Sequence, residues 1–415
     1  MTTEERYTYQ GRLSAHFRPG APIDSSTLFC GRQQQVDDVI NATLQVGQHV
    51  VMFGERGVGK TSLAKTLASI LKNAGITPLS SGTINCDGTD DFSALWHKIF
   101  RELQLVVKLS SPGFAASTEE KSLNLDSLLP EKVAPDDVRA AIMQAVSLGE
   151  EKKSMIIMLD EVDRIKKKHV TTLLADTLKN LSDHLVPVTV ILIGVADAVD
   201  QLISEHKSIE RSIVQVPMPR MSSDELREVV ENGISNATMT ISDEAKHEIV
   251  TLSQGLPHFT HLLALESGIR ALGRNSIDVS KLDVIDATKT AVSKSHSLLS
   301  THRKATLSPQ KMNLFEEVLL ACALTKKDAL GYFSSGSVVE PMSKIMKKPY
   351  PVPYFARHLG EFASEKRGKV LQKSGTPRQH LYRFDNPLLE PFIIIKALSC
   401  GMLDEETFMS HTIAS

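Results

Sequence analysis

One stretch of this 415-residue chain limits its possible folds more than any other, the glycine-rich run GERGVGKT at residues 54–61. The apolar residues 49–53 before it predict a short buried strand, and residues 62–68 after it predict the start of a helix. A strand, a G-x-x-x-x-G-K-T loop and a helix in this order are typical of a loop whose backbone N–H groups surround a chain of phosphates. The helix adds its own free N–H groups and the positive end of its dipole. The alternative is a glycine turn that matches the pattern by chance.

The residue types of this loop indicate separate roles. We expect Lys60 to reach the β- and γ-phosphates of ATP or ADP, which makes it a candidate catalytic residue. The Thr61 hydroxyl is a candidate ligand for Mg²⁺. The candidate nucleotide-binding residues of the loop are Gly54, Glu55, Arg56, Gly57, Val58, Gly59, Lys60, Thr61 and Ser62.

A second apolar run ends in two carboxylates. Residues 155–159 are all apolar and predict a fully buried parallel strand, and Asp160 and Glu161 follow it directly. In doubly wound α/β sheets, ligands bind at the carboxyl ends of the strands. We therefore assign Asp160 to the Mg²⁺ shell and Glu161 to polarising the attacking water. The alternative is that the pair caps the N-terminus of a helix.

Three further residues are candidates for contacting the nucleotide. Asp197 follows a third apolar run at residues 188–196. It is a candidate γ-phosphate sensor, and the alternative is a helix cap, because a carboxylate repels phosphate. Arg211 is a candidate arginine finger that would be donated to the nucleotide of a neighbouring subunit and stabilise the charge that develops on the transferred phosphoryl group. A surface salt bridge is the alternative for Arg211, and Arg220 is the second candidate for the finger.

The length and composition of the chain exclude several classes of protein. A chain of 415 residues with 41% hydrophobic and 23% charged residues is expected to form two or three globular domains. No run of about 18 apolar residues predicts a transmembrane helix, and the N-terminus lacks the pattern of a secretion signal. The four cysteines lie far apart, which argues against a zinc site or a disulfide framework. We therefore expect a cytoplasmic protein without a membrane partner.

Local patterns outline the rest of the N-terminal two thirds. Residues 1–27 predict an arm with little structure of its own, and residues 108–135 predict a flexible insertion. Asp91 is predicted to cap a helix with an apolar stripe. From residue 222 onwards the pattern is all-helical, with capping signatures at Ser222 and Ser242.

The C-terminal region is basic. Residues 303–383 contain fifteen Lys or Arg and six Asp or Glu, a balance of +9, so the rest of the chain carries −11, given a net charge of −2. This asymmetry indicates a polyanionic partner such as double-stranded DNA, and a solvated surface is the alternative. Three helices, the first beginning at Ser308, and a β-hairpin together predict a winged helix-turn-helix.

The side chains of this region that would contact DNA fall into two groups. Those on the third helix, which would enter the major groove, are Tyr354, Arg357 and His358. Those that would contact phosphates are Lys344, Lys347, Lys348, Lys373, Arg378 and His380. If they are instead a solvated face, the domain would dock on a protein.

Taken together, these motifs resemble those of the AAA+ ATPases, in particular the branch with the archaeal and eukaryotic origin-binding initiator ATPases and the signalling STAND ATPases. The resemblance covers residues 28–295 and rests on residues 54–61, 159–164, 194–197 and 255–258. The basic C-terminal region, with FDNPLL at residues 384–389, also looks like this branch.

The resemblance implies a P-loop NTPase fold of the α/β class, with a parallel sheet, a helical lid and a C-terminal winged helix. The implied boundaries are an N-terminal arm at 1–27, a nucleotide-binding domain at 28–220, a lid at 221–300 and a winged-helix domain at 301–415. It also implies a homo-oligomer that binds nucleotide at subunit interfaces, with Arg211 acting in trans and Glu161 as the catalytic base or water-orienting residue.

Two departures from the family pattern affect the expected turnover. Asp197 stands where the family usually has Asn, Ser or Thr, and many members carry a lid arginine where this chain has the sequence GLPH at residues 255–258. The Gly-x-Pro phrase is more typical of the STAND group, which often switches between ADP-bound and ATP-bound forms and hydrolyses ATP slowly. It makes Pro257 and His258 candidate nucleotide contacts.

These features leave three functions open. The first is an ATPase that assembles on DNA, as in replication, transposition or antiviral defence. The second is a STAND-like ATP/ADP switch that controls a protein effector in trans, since no effector signature is visible in this chain. The third is a small-molecule kinase, in which the lid and the winged helix have no obvious place.

Overall fold

The computed structural model describes residues 1–24, 29–73, 79–110, 118–148, 155–195, 207–309, 313–328, 330–376 and 379–412. The chain divides into two compact units. The unit here called the sheet unit comprises Pro22–Gly54 and Gly59–Met218, and the helical unit comprises Met1–Ala21, Glu55–Val58 and Pro219–Ser415. Within the described ranges, no helix is long and apolar enough to cross a membrane.

Parallel strands form the central sheet of the sheet unit, in the spatial order β2-β5-β6-β1-β7. The strands of the unit are β1 His49–Phe53, β2 Leu79–Asn85, β3 Gln104–Ser110, β4 Thr118–Asn124, β5 Met155–Asp160, β6 Val188–Gly194 and β7 Ile213–Pro217. Every residue of β5 and β6 is buried, as expected for a parallel sheet that is covered on both faces. The predicted α/β fold with a parallel sheet is therefore confirmed.

Residues of Phe92–Glu102, Pro135–Ser147 and Lys168–Asp183 form one core with the strands, and all the described α-helices of the sheet unit bury apolar side chains. Their bounds are Gln33–Thr43, Lys60–Asn73, Phe92–Glu102, Pro135–Ser147 and Lys168–Asp183, with short 3₁₀ helices at Leu125–Leu128, Val162–Arg164 and Lys207–Ser212. The predicted cap at Asp91 is confirmed, because its Oδ1 accepts a hydrogen bond of 2.8 Å from the Ala94 N–H. The helix that it caps buries Trp96, the only tryptophan of the chain.

The prediction of a flexible insertion at residues 108–135 is wrong wherever the structure describes this segment. β3 and β4 pair as an antiparallel hairpin, from Gln104 opposite Asn124 to Ser110 opposite Thr118, and helices follow it. Residues 111–117 lie outside the described residues. The hairpin was missed because β4 has the sequence TEEKSLN, which has one β-branched residue, Thr118, and no aromatic residue to mark a strand.

The helical unit contains the following described helices: Thr3–His16, Ser223–Asn236, Asp243–Ser253, Pro257–Gly273, Lys281–Lys294, His296–Thr306, Phe315–Leu324, Val339–Met346, Ala356–Phe362, Leu389–Ser399 and Glu405–Thr412. Both predicted capping signatures are confirmed. The Ser222 hydroxyl accepts from the Glu225 N–H, and the Glu225 carboxylate accepts from the Ser222 N–H. The Ser242 hydroxyl likewise accepts a hydrogen bond from the Ala245 N–H.

The prediction that residues 1–27 lack structure is also wrong. Thr3–His16 is a helix with a capping box between Thr2 and Glu5, and Leu13 and Phe17 are buried in the core of the helical unit. A Cβ on Gly233 would overlap the Phe17 ring, and a Cβ on Gly268 would lie 2.7 Å from Leu13. The glycine partners of Leu13 and Phe17 are more than two hundred residues away, so no local pattern indicates the contact.

The C-terminal part of the helical unit contains a small antiparallel sheet in the order β10-β12-β11. The strands of this sheet are β10 Phe333–Ser334, β11 Leu371–Thr376 and β12 Gln379–Phe384. A separate pair of short strands, β8 Thr240–Ile241 and β9 Asp278–Val279, lies elsewhere in the unit. The predicted hairpin is confirmed by the pairing of β11 with β12. The predicted helix start at Ser308 is wrong, because the helix begins at Phe315, whose N–H donates to the Asn313 side chain.

Candidate functional site

The candidate metal ligands of the sheet unit lie in direct contact. The Thr61 Oγ1 donates a hydrogen bond of 2.6 Å to the Asp160 Oδ2, although the two residues are 99 positions apart. β1 leads into the loop that carries Thr61, and β5 ends at Asp160. The two strands are parallel members of one sheet, so their carboxyl ends lie at the same edge.

The predicted helix after the loop is present and begins at Lys60, two residues before the predicted start at Ser62. Its first turn includes a hydrogen bond of 3.0 Å from the Leu63 N–H to the Gly59 carbonyl. The Lys60 Nζ lies 2.9 Å from the carbonyl oxygen of Gly54, so the ammonium folds back over the loop. The N–H groups of the first helical turn have no partners within the helix, which makes this end a place where an anion is favoured.

Two glycines of the loop meet requirements that other residues would not. A Cβ at Gly54 would overlap the backbone carbonyl of Met218, so the backbone approach there requires glycine. Gly59 has a φ of 98°, in the region that side chains disfavour. Of the other loop residues in this unit, Ser62 accepts a hydrogen bond of 3.1 Å from the Ile23 N–H.

Glu161 lies directly after the strand end in a left-handed backbone conformation, with a φ of 57°. Its N–H donates to the Asp160 Oδ1 at 2.8 Å, and its carboxylate pairs with Arg164 at 2.7 Å. The Glu161 side chain is 46% exposed, so water reaches it. The left-handed conformation of a non-glycine residue is uncommon, and such residues cluster at functional sites.

The oxygen atoms of this arrangement fit a magnesium ion. Mg²⁺ prefers oxygen ligands and is usually held by one or two carboxylates together with waters and phosphate oxygens. Asp160 is buried, and its two oxygens face the Thr61 hydroxyl and the Glu161 N–H. Thr61 and Asp160 therefore have the ligand chemistry that the ion requires.

Of the other two candidates in this unit, the structure describes only one. Asp197 lies among residues 196–206, outside the described ranges. Arg211 lies on the 3₁₀ helix Lys207–Ser212, where its side chain is 82% exposed and stands 3.4 Å from the Asp183 carboxylate. This single long contact leaves Arg211 able to reach another molecule.

The tip of the loop, Glu55–Val58, belongs to the helical unit. The Glu55 carboxylate pairs with the Arg220 guanidinium at 2.7 Å. Arg220 also binds Glu390 through two hydrogen bonds of 2.9 Å, and the Lys327 ammonium stands 3.1 Å from Glu390. We call these four residues the ion network. Arg220, the second candidate for an arginine finger, is thus held inside its own chain.

The charges of Arg220 and Glu390 are stabilised by their partners, whereas burial lowers the pKa of Lys327 although Glu390 lies beside it. Burial alone would lower the pKa of Arg220, but Glu390 and Glu55 raise it above its usual value. Burial would raise the pKa of Glu390, but Arg220 and Lys327 hold it below its usual value. Sequence patterns do not indicate Lys327 or Glu390, because the Arg220–Glu390 pair is 170 residues apart and leaves no local signal.

The lid candidates Pro257 and His258 open a helix, with Pro257 at its first position. The His258 ring is half-buried, and its Nδ1 lies 2.7 Å from the Pro19 carbonyl oxygen. Burial lowers the pKa of His258, so the ring is neutral near pH 7. The ring nitrogen closest to the N-terminal segment is therefore already engaged within the chain.

The candidate DNA-binding side chains differ in how accessible they are. Arg357 is 87% exposed but paired with Glu361, and the His358 ring packs edge-on against Phe315 with centroids 4.7 Å apart. Lys373 is exposed on β11. The remaining described candidates comprise the exposed Tyr354, Lys347 and Lys348, the half-buried His380, and Lys344, which pairs with Glu340. Arg378 lies outside the described residues.

Comparisons with known proteins agree with this fold. Residues 28–191 match the family model of the AAA ATPase domain. The structure of the Walker-type ATPase PABY2304 of Pyrococcus abyssi matches with a TM-score of 0.53 and 15% identity, covering 90% of this chain and 99% of that one. At this identity the likeness concerns the fold alone.

Two further structures match less closely. They are the Orc1 protein of Aeropyrum pernix in complex with DNA, at 14% identity, 90% and 95% coverage and a TM-score of 0.45, and Cdc6p from Pyrobaculum aerophilum, at 14% identity, 95% and 98% coverage and a TM-score of 0.45. No curated protein sequence matches significantly. The sheet unit has the α/β fold of the P-loop NTPases, and residues 28–191 match the model of the AAA ATPase domain.

Proposed function

We propose that this protein is an ATPase of the AAA+ type that binds and hydrolyses ATP, assembles into oligomers and acts on double-stranded DNA. One observation carries the nucleotide part of the proposal, the hydrogen bond of 2.6 Å between the Thr61 hydroxyl and the Asp160 carboxylate. It brings the loop and the acidic strand end together within the sheet unit. Without that contact, the two motifs would be only separate patterns.

The residues around this contact have complementary roles in ATP hydrolysis. Thr61 and Asp160 would hold Mg²⁺, which neutralises charge on the phosphate oxygens when it is bound. Lys60 would transfer its ammonium from the Gly54 carbonyl to the phosphates, exchanging a neutral acceptor for a charged one. Glu161 would orient and polarise the attacking water, because its carboxylate is exposed to solvent beside the metal ligand.

Two substitutions test these assignments. Lys60→Ala is expected to weaken ATP binding by about 10²-fold or more, since the main positive charge facing the phosphates is lost. Glu161→Gln is expected to bind ATP, measured by calorimetry, but to hydrolyse it at least about 10²-fold more slowly. Lys65→Ala is the matched control, because Lys65 is exposed on the same helix. Tight ATP binding by Lys60→Ala, or full turnover by Glu161→Gln, would contradict the proposal.

Assembly is proposed because Arg211 is exposed and only loosely held within its own chain. If Arg211 completes the site of a neighbouring subunit, ATPase activity per subunit rises with protein concentration, and Arg211→Ala loses turnover by about 10³-fold while retaining ATP binding. The control is Arg227→Ala, a residue on the surface of the helical unit. Activity that is independent of concentration, with an active Arg211→Ala variant, would rule out the role in trans.

The DNA part of the proposal rests on the charge balance of +9 in residues 303–383 and on the exposed Lys373 of the β11–β12 hairpin. We propose that the helices from Phe315 to Phe362 and this hairpin form a winged helix. The packed His358 ring and the paired Arg357 favour phosphate contacts over base recognition as the main interaction.

DNA binding is tested at two salt concentrations. Affinity for a duplex is expected to fall steeply as salt rises, because neutralised phosphates release counterions. The double variant Lys373→Ala with Arg378→Ala is expected to lower the salt slope by about 2, one unit per lost phosphate contact. Lys289→Ala, on an exposed helix face, is the control. No duplex binding at low salt would exclude this function.

The alternative is a STAND-like switch that binds a protein effector in trans. It is favoured by the ion network, which connects the loop tip with residues of the C-terminal region inside one unit. The two functions differ in one measurable respect. A switch would retain tight ADP after purification and bind no duplex at low salt, whereas a DNA-associated ATPase would bind duplex with an affinity that depends on ATP.

A further inference from the structure

The ion network is too deeply buried to be a set of surface salt bridges. Glu390 and Lys327 expose only 2% and 7% of their side chains, Glu55 exposes 9%, and Arg220 exposes 22%. The network contains two carboxylates and two cations, so its formal charge is zero. Removing one partner would leave an uncompensated charge in a buried place, which is far more costly than loss of an exposed pair.

The geometry of the network makes Arg220 its central residue. The guanidinium binds Glu390 in a two-pronged arrangement, with Nη1 and Nη2 each 2.9 Å from a carboxylate oxygen, while its Nε donates to Glu55 at 2.7 Å. Its Nη1 also donates to the Gln254 carbonyl. A planar guanidinium with this many partners has one orientation, and it fixes the position of the Glu55 carboxylate.

Close packing restricts the loop tip as well. Gly331, with a φ of 82°, lies so close to Glu55 that a Cβ there would overlap the Glu55 carboxylate. A Cβ on Gly57 would lie 3.0 Å from the Leu388 side chain. Residues 331 and 388 therefore lie against the loop tip at Glu55 and Gly57, all within the helical unit.

We propose that Arg220 is a positioning residue for the phosphate-binding loop, and that through it the C-terminal part of the helical unit sets the affinity for nucleotide. This inference rests on the proposed nucleotide site. The loop binds phosphate with backbone N–H groups whose directions depend on the conformation of residues 55–58. Arg220 acts by holding Glu55 in place.

By thermodynamic linkage, the effect is reciprocal. If the C-terminal part changes nucleotide affinity, nucleotide changes the stability of the C-terminal part by the same factor. Nucleotide is therefore expected to slow hydrogen exchange in the helix Leu389–Ser399, which carries Glu390 at its start. This coupling would let events at the C-terminal region reach the ATPase site without any residue of that region contacting the nucleotide.

The sharpest test compares two glycine substitutions in the helical unit. Gly331→Ala and Gly401→Ala impose the same backbone strain, because both positions have positive φ, 82° and 74°. Only Gly331→Ala displaces Glu55, since a Cβ on Gly401 meets nothing within 4 Å. We expect Gly331→Ala to weaken ADP and ATP binding by about 5- to 150-fold, the usual range of coupling between sites, and Gly401→Ala to leave it unchanged.

A second test separates positioning from simple support of the fold. Arg220→Gln is expected to raise the KM for ATP while kcat at saturation is retained, and Arg220→Lys is expected to restore part of the affinity. In the Glu55→Gln background, Arg220→Gln is expected to have little additional effect, because its action passes through Glu55. If Arg220→Gln does not fold, the double variant Lys327→Met with Glu390→Gln takes its place. It removes one cation and one carboxylate, so the network stays neutral.

The outcomes separate this inference from the proposed function. If the wild-type protein binds no ATP or ADP, the proposed function fails and the inference fails with it. If wild type binds nucleotide and Lys60→Ala does not, but Gly331→Ala and the neutral double variant bind like wild type, the nucleotide site stands and the positioning role is wrong. Equal losses in Gly331→Ala and Gly401→Ala would also overturn it.

Discussion

The two units hold the phosphate-binding loop by different kinds of contact. In the sheet unit, Thr61 at the base of the loop forms one short hydrogen bond with Asp160, and both residues follow strands of the same sheet. In the helical unit, Glu55 at the tip of the loop is held by Arg220, which is itself paired with the buried Glu390. The base is thus arranged by the fold itself, whereas the tip depends on partners from distant parts of the chain.

This difference extends to the cores of the two units. The core of the sheet unit comes from one continuous part of the chain, and its strands and helices follow apolar patterns. The core of the helical unit joins the N-terminal helix Thr3–His16 with residues after 219. We therefore expect substitutions in the two units to be separable in unfolding experiments.

Phe17→Ala should give the largest effect and should test the N-terminal contribution to the helical unit. Phe17 is 1% exposed, and its ring packs against Gly233 and edge-on against the His261 ring. Losing a buried phenylalanine typically costs about 3–5 kcal/mol of unfolding free energy. Urea unfolding monitored by hydrogen exchange should show this loss in the helical unit. The urea midpoint reported by the fluorescence of Trp96, in the sheet unit, should not change.

The control for this experiment is Tyr7→Ala on the same helix. Tyr7 is 62% exposed, so its loss should change stability by no more than about 0.5 kcal/mol. If Phe17→Ala shifts the Trp96 transition as far as it shifts the helical unit, the units unfold together and the comparison fails at the level of stability.

What could be predicted from the sequence follows the same division. The loop at residues 54–61, the buried strand before Asp160 and the caps at Asp91 and Ser222 depend on neighbouring residues, and the structure contains all of them. The contact of Thr61 with Asp160 follows from the sheet topology.

Contacts between distant residues could not be predicted in this way. The N-terminal helix is fixed by Phe17 against Gly233, and Arg220 is fixed by Glu390, and neither pair forms a periodic pattern. The hairpin of β3 and β4 was missed for a different reason, because backbone pairing prevails over the weak strand propensity of β4. The sequence leaves Arg220 as the second candidate for the finger, because sequence reveals a positive charge but not its partners.

Buried histidines give a second way to compare the units, through pH. Burial lowers the pKa of His261 and His302 in the helical unit, and of His49 in the sheet unit, to about 4. In the unfolded chain these histidines bind protons with the usual pKa of 6.5. The neutral buried rings therefore contribute fully to the unfolding free energy above pH 6.5, and this contribution is lost as pH falls towards 4. Each histidine should cost about 2 kcal/mol between pH 6.5 and about 5.

The helical unit has two such histidines among its described residues, and burial also lowers the pKa of His258 and His358 there, so it should lose at least about 2 kcal/mol more than the sheet unit over this interval. His302→Gln should reduce the difference by about 2 kcal/mol, because it abolishes one of these titrations. Chemical unfolding at several pH values, read separately for each unit, measures both quantities. A helical unit whose stability does not change between pH 6.5 and 5 would show that its histidines remain hydrated.

The smallest expected effects come from one helix cap in each unit. Asp91 caps Phe92–Glu102 in the sheet unit with a hydrogen bond of 2.8 Å, and Ser242 caps Asp243–Ser253 in the helical unit with one of 3.2 Å. Replacing either residue by alanine should cost about 1 kcal/mol, because an N–H of the first turn loses its acceptor. The expected losses are similar, so the two variants differ mainly in which unit they affect.

Hydrogen exchange resolves where each loss appears. Asp91→Ala should increase exchange in the helix Phe92–Glu102 and lower the midpoint of Trp96 fluorescence, since Trp96 lies on that helix. Ser242→Ala should increase exchange in Asp243–Ser253 and leave Trp96 unchanged. Adding ADP should then protect both units of the wild-type protein, because the loop has its base in one and its tip in the other. Protection confined to the sheet unit would mean that the loop tip plays no part in holding the nucleotide.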